Sequence, residues 1–434
     1  MFLFVGSLVI LAASLVLTIK TRFVQIRMIP QMFSLLGTLL LKRNSAKEGK
    51  HSIKAHKALF TAMSTTIGIS TIVSPIIAIK LGGAGAVLGF ILATFLGAAV
   101  NFTEVTFALR YRKKAADGKI LGGPMQYLHD EVAPFLAKAY AVFVFLLMMA
   151  WSCCQSNQLA EILNSPFTGS FRIPNIVTGV VIAALVIGVL LGGVKRVADL
   201  STKLVPLMFF LYIGTSLWII FCNTGKLGAA FELILTSAFS PKALGTGAAV
   251  GGIVSALRWG VFKGLHSCEA GVGTQAIPHS MAETSAPAHQ GVLAMLSTFT
   301  ACFLCVLSSL VALLTEPWLD ESLSLGIHMV AKSYQLYFSY WGIVVLLVST
   351  FLFAFGTIVG NSFNGSQCFT YLTKGKYLTF YYLATAFVIF SGSIADVAFV
   401  WSNADFILIP TVLINTLGIV YLTFKKKELL FQPT

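Results

Sequence analysis

Charge is what this 434-residue chain has least of. Asp, Glu, Lys and Arg make up 11% of it, where a soluble domain carries about 25%. With 57% hydrophobic residues and a mean hydropathy of +0.86, a soluble globular protein is excluded and a polytopic all-α membrane protein is implied. Acidic residues are the scarcer sign, 16 against 30 Lys and Arg. That basic excess does not indicate a nucleic-acid partner, because it sits in short connections between apolar runs and forms no stripe on a recognition fold. The chain has no HExxH, Walker loop, GxSxG or paired-carboxylate constellation, which argues against an enzyme. His51, His56, His129, His279, His289 and His328 lack metal-ligand spacing. The seven cysteines lie in or beside apolar stretches, and Cys302 and Cys305 read as small packing residues, not a redox or zinc pair. Neither a cofactor nor a metal other than a transported ion is expected, and no obligate protein partner is implied.

What is present is a series of apolar runs. A membrane-crossing helix takes about 20 apolar residues, and about eleven candidates centre near Val9, Gly68, Leu92, Val144, Leu185, Phe210, Ala256, Phe303, Leu352, Leu383 and Leu413. The first lacks a basic leader and carries its charges after the apolar run, as a retained span does and a signal peptide does not. Basic residues fall on one set of alternate connections: Lys20 to Lys57, Arg110 to Lys119, Lys195 to Lys203, Lys263, Lys374 and Lys376, and Lys425 to Lys427. The opposite set holds only Lys80, Arg172, Lys226, Lys242 and Lys332. This bias places the N-terminus outside and the C-terminus in the cytoplasm of an inner, multi-pass membrane protein. Between Phe23 and Lys57 the chain reads either as an amphipathic helix on the cytoplasmic surface or as a plain basic connector.

Two runs are broken by glycine and polar residues: Leu59 to Leu81, and Gly245 to about Ser280. They are the second and seventh candidates, five apart. With the first span set aside, ten remain as two sets of five entering from opposite sides, an inverted repeat whose first and sixth helices are broken. The expected units are residues 1–58, an N-terminal helix and basic connector, and 59–434, a transporter core with repeats at about 59–222 and 245–424. An amino acid is a zwitterion, and a broken helix offers amides to its carboxylate and carbonyls to its ammonium. The candidates are Thr66, Gly68, Ser70 and Thr71 in the first break and Ser267, Cys268, Glu269 and Gly271 in the second, unless the glycines only permit close packing. Gln155 and Asn157 put amides at membrane depth, where they serve either a substrate or interhelical bonding. Glu104, Glu161, Glu269 and Asp405 are carboxylates in or near spans, each needing a reason.

Read in order, "STTIGISTIVSPIIAIKLGGAGAV", "NFTEVTFALRYR", "DGKILGGPMQYL", "CQSNQLA", "GGVKRVADLSTKLVPLM", "RWGVFKGLHSCEAGVG" and "LFAFGTIVG" closely resemble the alanine or glycine:cation symporter family, from about Arg22 to Leu422. The resemblance implies a leucine-transporter-type fold and sodium-coupled import of a small amino acid across the lipid bilayer, with no cofactor. It implies that Gln155 reaches the substrate, and that Glu104, Glu269 and Asp405 have structural or gating roles, Glu269 locking the unwound backbone. Sodium is expected on unwound carbonyls near Ile69 and on the hydroxyl of Thr357.

The departures from the family pattern cluster around the breaks. Gly68, Ile69, Ser70 and Thr71 stand where it has glycine, threonine, glycine and asparagine, and Ser74 stands where it has glycine. Cys268 replaces asparagine, His266 phenylalanine, Gly356 serine and Asn361 tryptophan. Loss of two aromatic walls at His266 and Asn361 suggests a larger, more polar pocket than one built for alanine. Loss of ligating groups at Gly356 and Thr71 weakens the sodium site, so proton coupling through His266 stands as an alternative. A non-coupled solute receptor or facilitator of the same fold is the other.

Overall fold

The computed structural model describes residues 2–41, 52–115, 118–169, 171–239, 253–284 and 286–431. The basic run from Lys42 to Lys50, Lys242 and the expected start of the second repeat at residue 245 lie outside them. Apolar runs become helices because only a helix satisfies every backbone group internally in lipid. Helix α1 (Phe2–Lys20) leads into α2 (Val24–Arg27) and α3 (Ile29–Leu41), so part of the ambiguous connector is helical. The first broken span is α4 (Ala55–Thr66) and α5 (Ile69–Gly82), followed by α6 (Ala86–Arg110). A two-stranded hairpin, β1 (Lys113–Lys114) against β2 (Ile120–Leu121), precedes the short α7 (Pro124–Glu131). Then come α8 (Pro134–Leu163), α9 (Asn175–Leu190), α10 (Gly193–Cys222) and α11 (Leu227–Phe239). The second broken span is α12 (Ile253–Cys268) and α13 (Ala276–Ser280). After it run α14 (Pro287–Thr315), α15 (Ile327–Thr373), α16 (Leu378–Ile394) and α17 (Val397–Lys425). Non-helical geometry at Ser339 divides α15 into two limbs.

Among the described residues, seven helices are long and apolar enough to cross a membrane, and three shorter apolar helices cover Gly6–Lys20, Asn175–Leu190 and Leu378–Ile394. The broken span α4–α5 lies at the centre, against α10, α12, α14 and α15. Helices α6 and α12 cross with almost no side chain between them: a Cβ on Gly260 would lie 2.2 Å from the Ala86 carbonyl oxygen, and one on Gly89 2.8 Å from the Gly260 Cα. Small residues at such a crossing let backbones approach, the main source of packing energy where lipid competes with side chains.

The basic ends gather on one face. Lys20 Nζ sits 3.9 Å from the Phe424 ring, and Arg110 Nε donates to the Leu429 carbonyl at 3.2 Å. Lys426 Nζ donates to Glu131 at 2.5 Å, and Tyr111 donates to the same carboxylate at 2.9 Å. Those bonds, the one from Lys426 above all, hold the Glu131 carboxyl below the usual carboxylate range. On the same face Arg112 donates to the carbonyls of Ser280, Ala282 and Thr284. The segment before α4 pairs with the one after α13 through Ile53 N to Met281 O at 3.1 Å and Glu283 N to Ile53 O at 2.8 Å. The two broken spans are thus tied together at their basic ends.

One basic residue departs from the sequence-based placement. Lys263 is not in a connection but inside α12, 4% exposed, where it pairs with Asp405. Alternation of charge along the chain cannot register a lysine that its partner makes tolerable within a span.

Candidate functional site

The first break is two residues wide. Helix α4 stops at Thr66, Ile67 and Gly68 leave helical geometry, and α5 begins at Ile69. Stopping there frees backbone groups, and two other helices answer them. Ile69 N donates to Gln155 Oε1 of α8 at 2.9 Å, and Thr357 Oγ1 of α15 donates to the Ile67 carbonyl at 3.3 Å. Gly68 is required by closeness: a Cβ there would lie 2.7 Å from Thr357 Oγ1 and 3.2 Å from Gln155 Oε1. Thr71 Oγ1 turns back onto the Gly68 carbonyl at 2.6 Å. Pro75, inside α5, denies the Thr71 carbonyl its helical donor. Hard oxygens from backbone and hydroxyl therefore converge with an amide carbonyl around one glycine.

The second break is longer. Between Cys268 and Ala276 the chain turns through left-handed conformations at Glu269 (φ 52°), Gly271 (φ 77°) and Gly273 (φ 86°). Glycine tolerates this region; a glutamate needs support. Glu269 has it, since its Oε2 accepts from Thr65 Oγ1 of α4 at 3.3 Å and from Thr274 Oγ1. One carboxylate thus joins the two breaks. The freed carbonyls are held from outside: Cys268 by Asn101 at 3.2 Å, Gly271 by Asn415 at 2.9 Å, Val272 by Tyr140 at 2.7 Å and Thr274 by Asn364 at 3.2 Å. Asn415 also donates to Glu104 Oε2 at 3.0 Å and accepts from Tyr127 at 2.5 Å. Glu104 therefore braces the break through the Asn415 amide and the Gly273 backbone.

In the last two turns of α12, just before the second break, lies a buried charge cluster. Lys263 Nζ is 2.9 Å from Asp405 Oδ2 of α17, and His266 Nδ1 is 3.3 Å from Asp405 Oδ1. The imidazole stacks on Trp151 with centroids 5.0 Å apart and stands 5.8 Å from Trp401. Ion pair and rings together bridge α8, α12 and α17. So aromatic bulk remains around position 266, supplied by its neighbours.

Of the sequence candidates, Gly68, Ile69, Gln155 and Thr357 meet at one point, and Thr71 lies one turn away. Thr66 Oγ1 bonds back to Ala62 O at 3.1 Å, and Ser70 is 8% exposed. Ser267 faces Cys305 of α14, and the missing Cβ of Gly271 points at Thr416 and Val412 of α17; neither lies at the first break. Cys268 is buried against Gly97 of α6. Asn157 is an interhelical clamp, donating to the carbonyls of Gly392 and Ala395 at 3.0 and 2.9 Å. Asn361 is fully buried on α15, and neither its Nδ2 nor its Oδ1 has a partner among the described residues. Asn101, Tyr127, Tyr140, Asn364 and Asn415 were not singled out from sequence. The signal available was a polar side chain within an apolar run, which costs free energy unless partnered.

Comparison with known proteins shows the family and the fold. The sequence profile described as the sodium:alanine symporter family matches residues 2–431. An uncharacterized transporter of Haemophilus influenzae is 33% identical over 91% of this chain and 85% of its own length. The sodium/alanine symporter AgcS of Methanococcus maripaludis is 30% identical over 95% of this chain and 90% of its own. Among solved structures, MhsT in complex with L-phenylalanine superposes with a TM-score of 0.61 at 15% identity, covering 87% of this chain and 91% of that one. That likeness concerns the fold, which is of the leucine-transporter type.

Proposed function

Because the chain belongs to the sodium:alanine symporter family, whose members are transporters and not enzymes, we propose that it imports a small neutral amino acid together with sodium by alternating access. The observation that carries this reading is the meeting of the broken backbone at Ile67–Ile69 with Gln155 and Thr357. The N-terminus of α5 opens at the break and suits a carboxylate. The Ile67 carbonyl and Thr357 hydroxyl are the hard oxygen donors that sodium takes. Residues 59–434 form the transporter core in two inverted sets of five spans, α1 making eleven. The basic face is cytoplasmic and the N-terminus outside, as the charge bias requires.

In this topology the Lys263–Asp405 pair lies on the outer side of the second break and acts as the outer closure. On the basic face a cavity of about 290 Å³, lined by Lys119, Leu121, Gly193, Phe363, Ser366 and Gln367, begins one turn from Asn364 and serves as the inner vestibule. A monovalent cation driven by 100 mV contributes about 2.3 kcal/mol and a tenfold gradient about 1.4 kcal/mol, enough to concentrate substrate several hundredfold. The test is the sodium dependence of uptake. Thr357→Val should raise the sodium concentration for half-maximal uptake at least tenfold while the protein still inserts and folds; an unchanged sodium response removes the ion from this position. The His266–Asp405 contact favours proton coupling as a second reading, which predicts uptake driven by an inward proton gradient without sodium and abolished in His266→Phe.

A further inference from the structure

The second limb of α15 presents a polar stripe to the breaks. Thr357, Asn361 and Asn364 are spaced i, i+4 and i+7, which puts them on one helix face. The two ends of the stripe are occupied: Thr357 bonds to the Ile67 carbonyl of the first break, and Asn364 to the Thr274 carbonyl of the second. Asn361 stands between them, about 6 Å along the axis from Thr357 and about 4.5 Å from Asn364. Gly360, to one side, is pressed onto Thr65 and Ser64 of α4, and Gly365, to the other, onto Met148 of α8 and Tyr381 of α16. Asn361 thus faces the seam where both breaks meet α8. Its amide is fully buried, and both its donor and its acceptor lack a partner among the described residues. Every neighbouring amide named above is bonded: Gln155 to Ile69, Asn101 to Cys268, Asn364 to Thr274 and Asn415 to Gly271. A buried amide with neither group bonded is costly, and what relieves it must both donate and accept.

We propose that Asn361 is the specificity-determining residue of the site, and that the substrate is a neutral amino acid whose side chain both donates and accepts a hydrogen bond: a carboxamide, or a hydroxyl as the smaller form of the same chemistry. This rests on the amino-acid reading of the site and names its substrate class. With the amino and carboxylate groups held at the first break, the side chain extends along α15 to Asn361. A carboxamide pairs with the Asn361 amide through two antiparallel bonds; a hydroxyl makes both bonds through one oxygen. An apolar side chain leaves both amide groups unpaired, and that is the stronger form of discrimination, since sites built to bond a polar group reject analogues that lack it.

The experiment is competition of uptake in proteoliposomes by polar and apolar pairs of similar shape: asparagine against leucine, glutamine against methionine, serine against alanine and threonine against valine. At least one polar member should compete about tenfold to a hundredfold better than its apolar partner, as two hydrogen bonds to an otherwise unpaired amide would give. Asn361→Leu should erase that preference, the ratio of polar to apolar uptake falling to about one, with membrane insertion and thermal unfolding checking that the variant is folded. Asn361→Ser should retain part of the preference. Alanine outcompeting every polar amino acid, or Asn361→Leu lowering polar and apolar uptake equally, would overturn the proposal and leave the symporter reading standing; so would an amide satisfied by water alone, seen as no discrimination within any pair. Failure of all amino acids to enter under any ion gradient would overturn both.

Discussion

Lys263 and Asp405 should be worth more as a pair than either is alone. Their side chains are 5% and 13% exposed and 2.9 Å apart, so truncating one partner leaves a charge in a medium that cannot solvate it. Removing one member of such a buried pair costs about 3–5 kcal/mol, whereas replacing both by apolar groups of similar volume is close to neutral. Lys263→Met keeps the length of the side chain and removes its charge. Asp405 then keeps only the His266 contact at 3.3 Å, and the α12–α17 bridge rests on the rings of Trp151, His266 and Trp401. We expect Lys263→Met and Asp405→Asn each to lower stability in detergent by about 3 kcal/mol or more, a population change of over a hundredfold. The double variant should regain most of that loss. Denaturant unfolding followed by tryptophan fluorescence measures all four proteins in one cycle. Equal stability of the single variants and the parent, or strict additivity in the double variant, would refute the reasoning. The double variant also tests the proposed outer closure: substrate counterflow without sodium should rise.

The remaining predictions concern the two breaks, the helix crossing and the basic face. Gly68→Ala puts a methyl 2.7 Å from Thr357 Oγ1 and 3.2 Å from Gln155 Oε1, so uptake should fall at least a hundredfold with insertion unimpaired, checked by transport against surface expression. Gly260→Ala drives a methyl to 2.2 Å from the Ala86 carbonyl, and overpacking against backbone should cost about 1–3 kcal/mol or more in the same unfolding assay. Asn157→Leu strips the donors from the Gly392 and Ala395 carbonyls; it should destabilise by about 1–3 kcal/mol and leave the order of substrate preference unchanged. The depressed Glu131 carboxyl contributes stability that is present above the usual carboxylate range and lost as pH falls through its lowered folded-state value, because the unfolded chain takes up the proton first. Glu131→Gln should therefore flatten the acid limb of the stability–pH curve, read by thermal unfolding from pH 7 downwards.

The sequence carried the positions of the breaks because backbone freedom has a composition: Gly68 lies between Thr66 and Ser70, and Gly271 and Gly273 follow Glu269, a mixture foreign to a plain span. It marked Gln155 and Asn157 alike, as amides where lipid offers no partner, and only the family resemblance set Gln155 apart. What it did not carry were the partners. Asn415 lies 144 positions from the Gly271 carbonyl it holds, and nothing in "LINTLGIV" indicates that contact. Lys263 was misplaced because a charge pattern counts residues on each side of a membrane and knows nothing of Asp405. Gln155 and Asn157 look alike in "CQSNQLA" but are 200° apart on the helix, so one reaches the first break and the other clamps α16. His266 suggests a lost aromatic wall only until Trp151 and Trp401 are seen beside it.

The central claim is coupled transport, and the most direct test is accumulation. Purified protein in sealed proteoliposomes, given a mixture of labelled amino acids and an inward sodium gradient, should concentrate at least one of them above its external level and lose it again when the gradient is collapsed. Equilibration without accumulation, under sodium and proton gradients alike, would contradict the symporter and leave a facilitator or a receptor built on the same two broken helices.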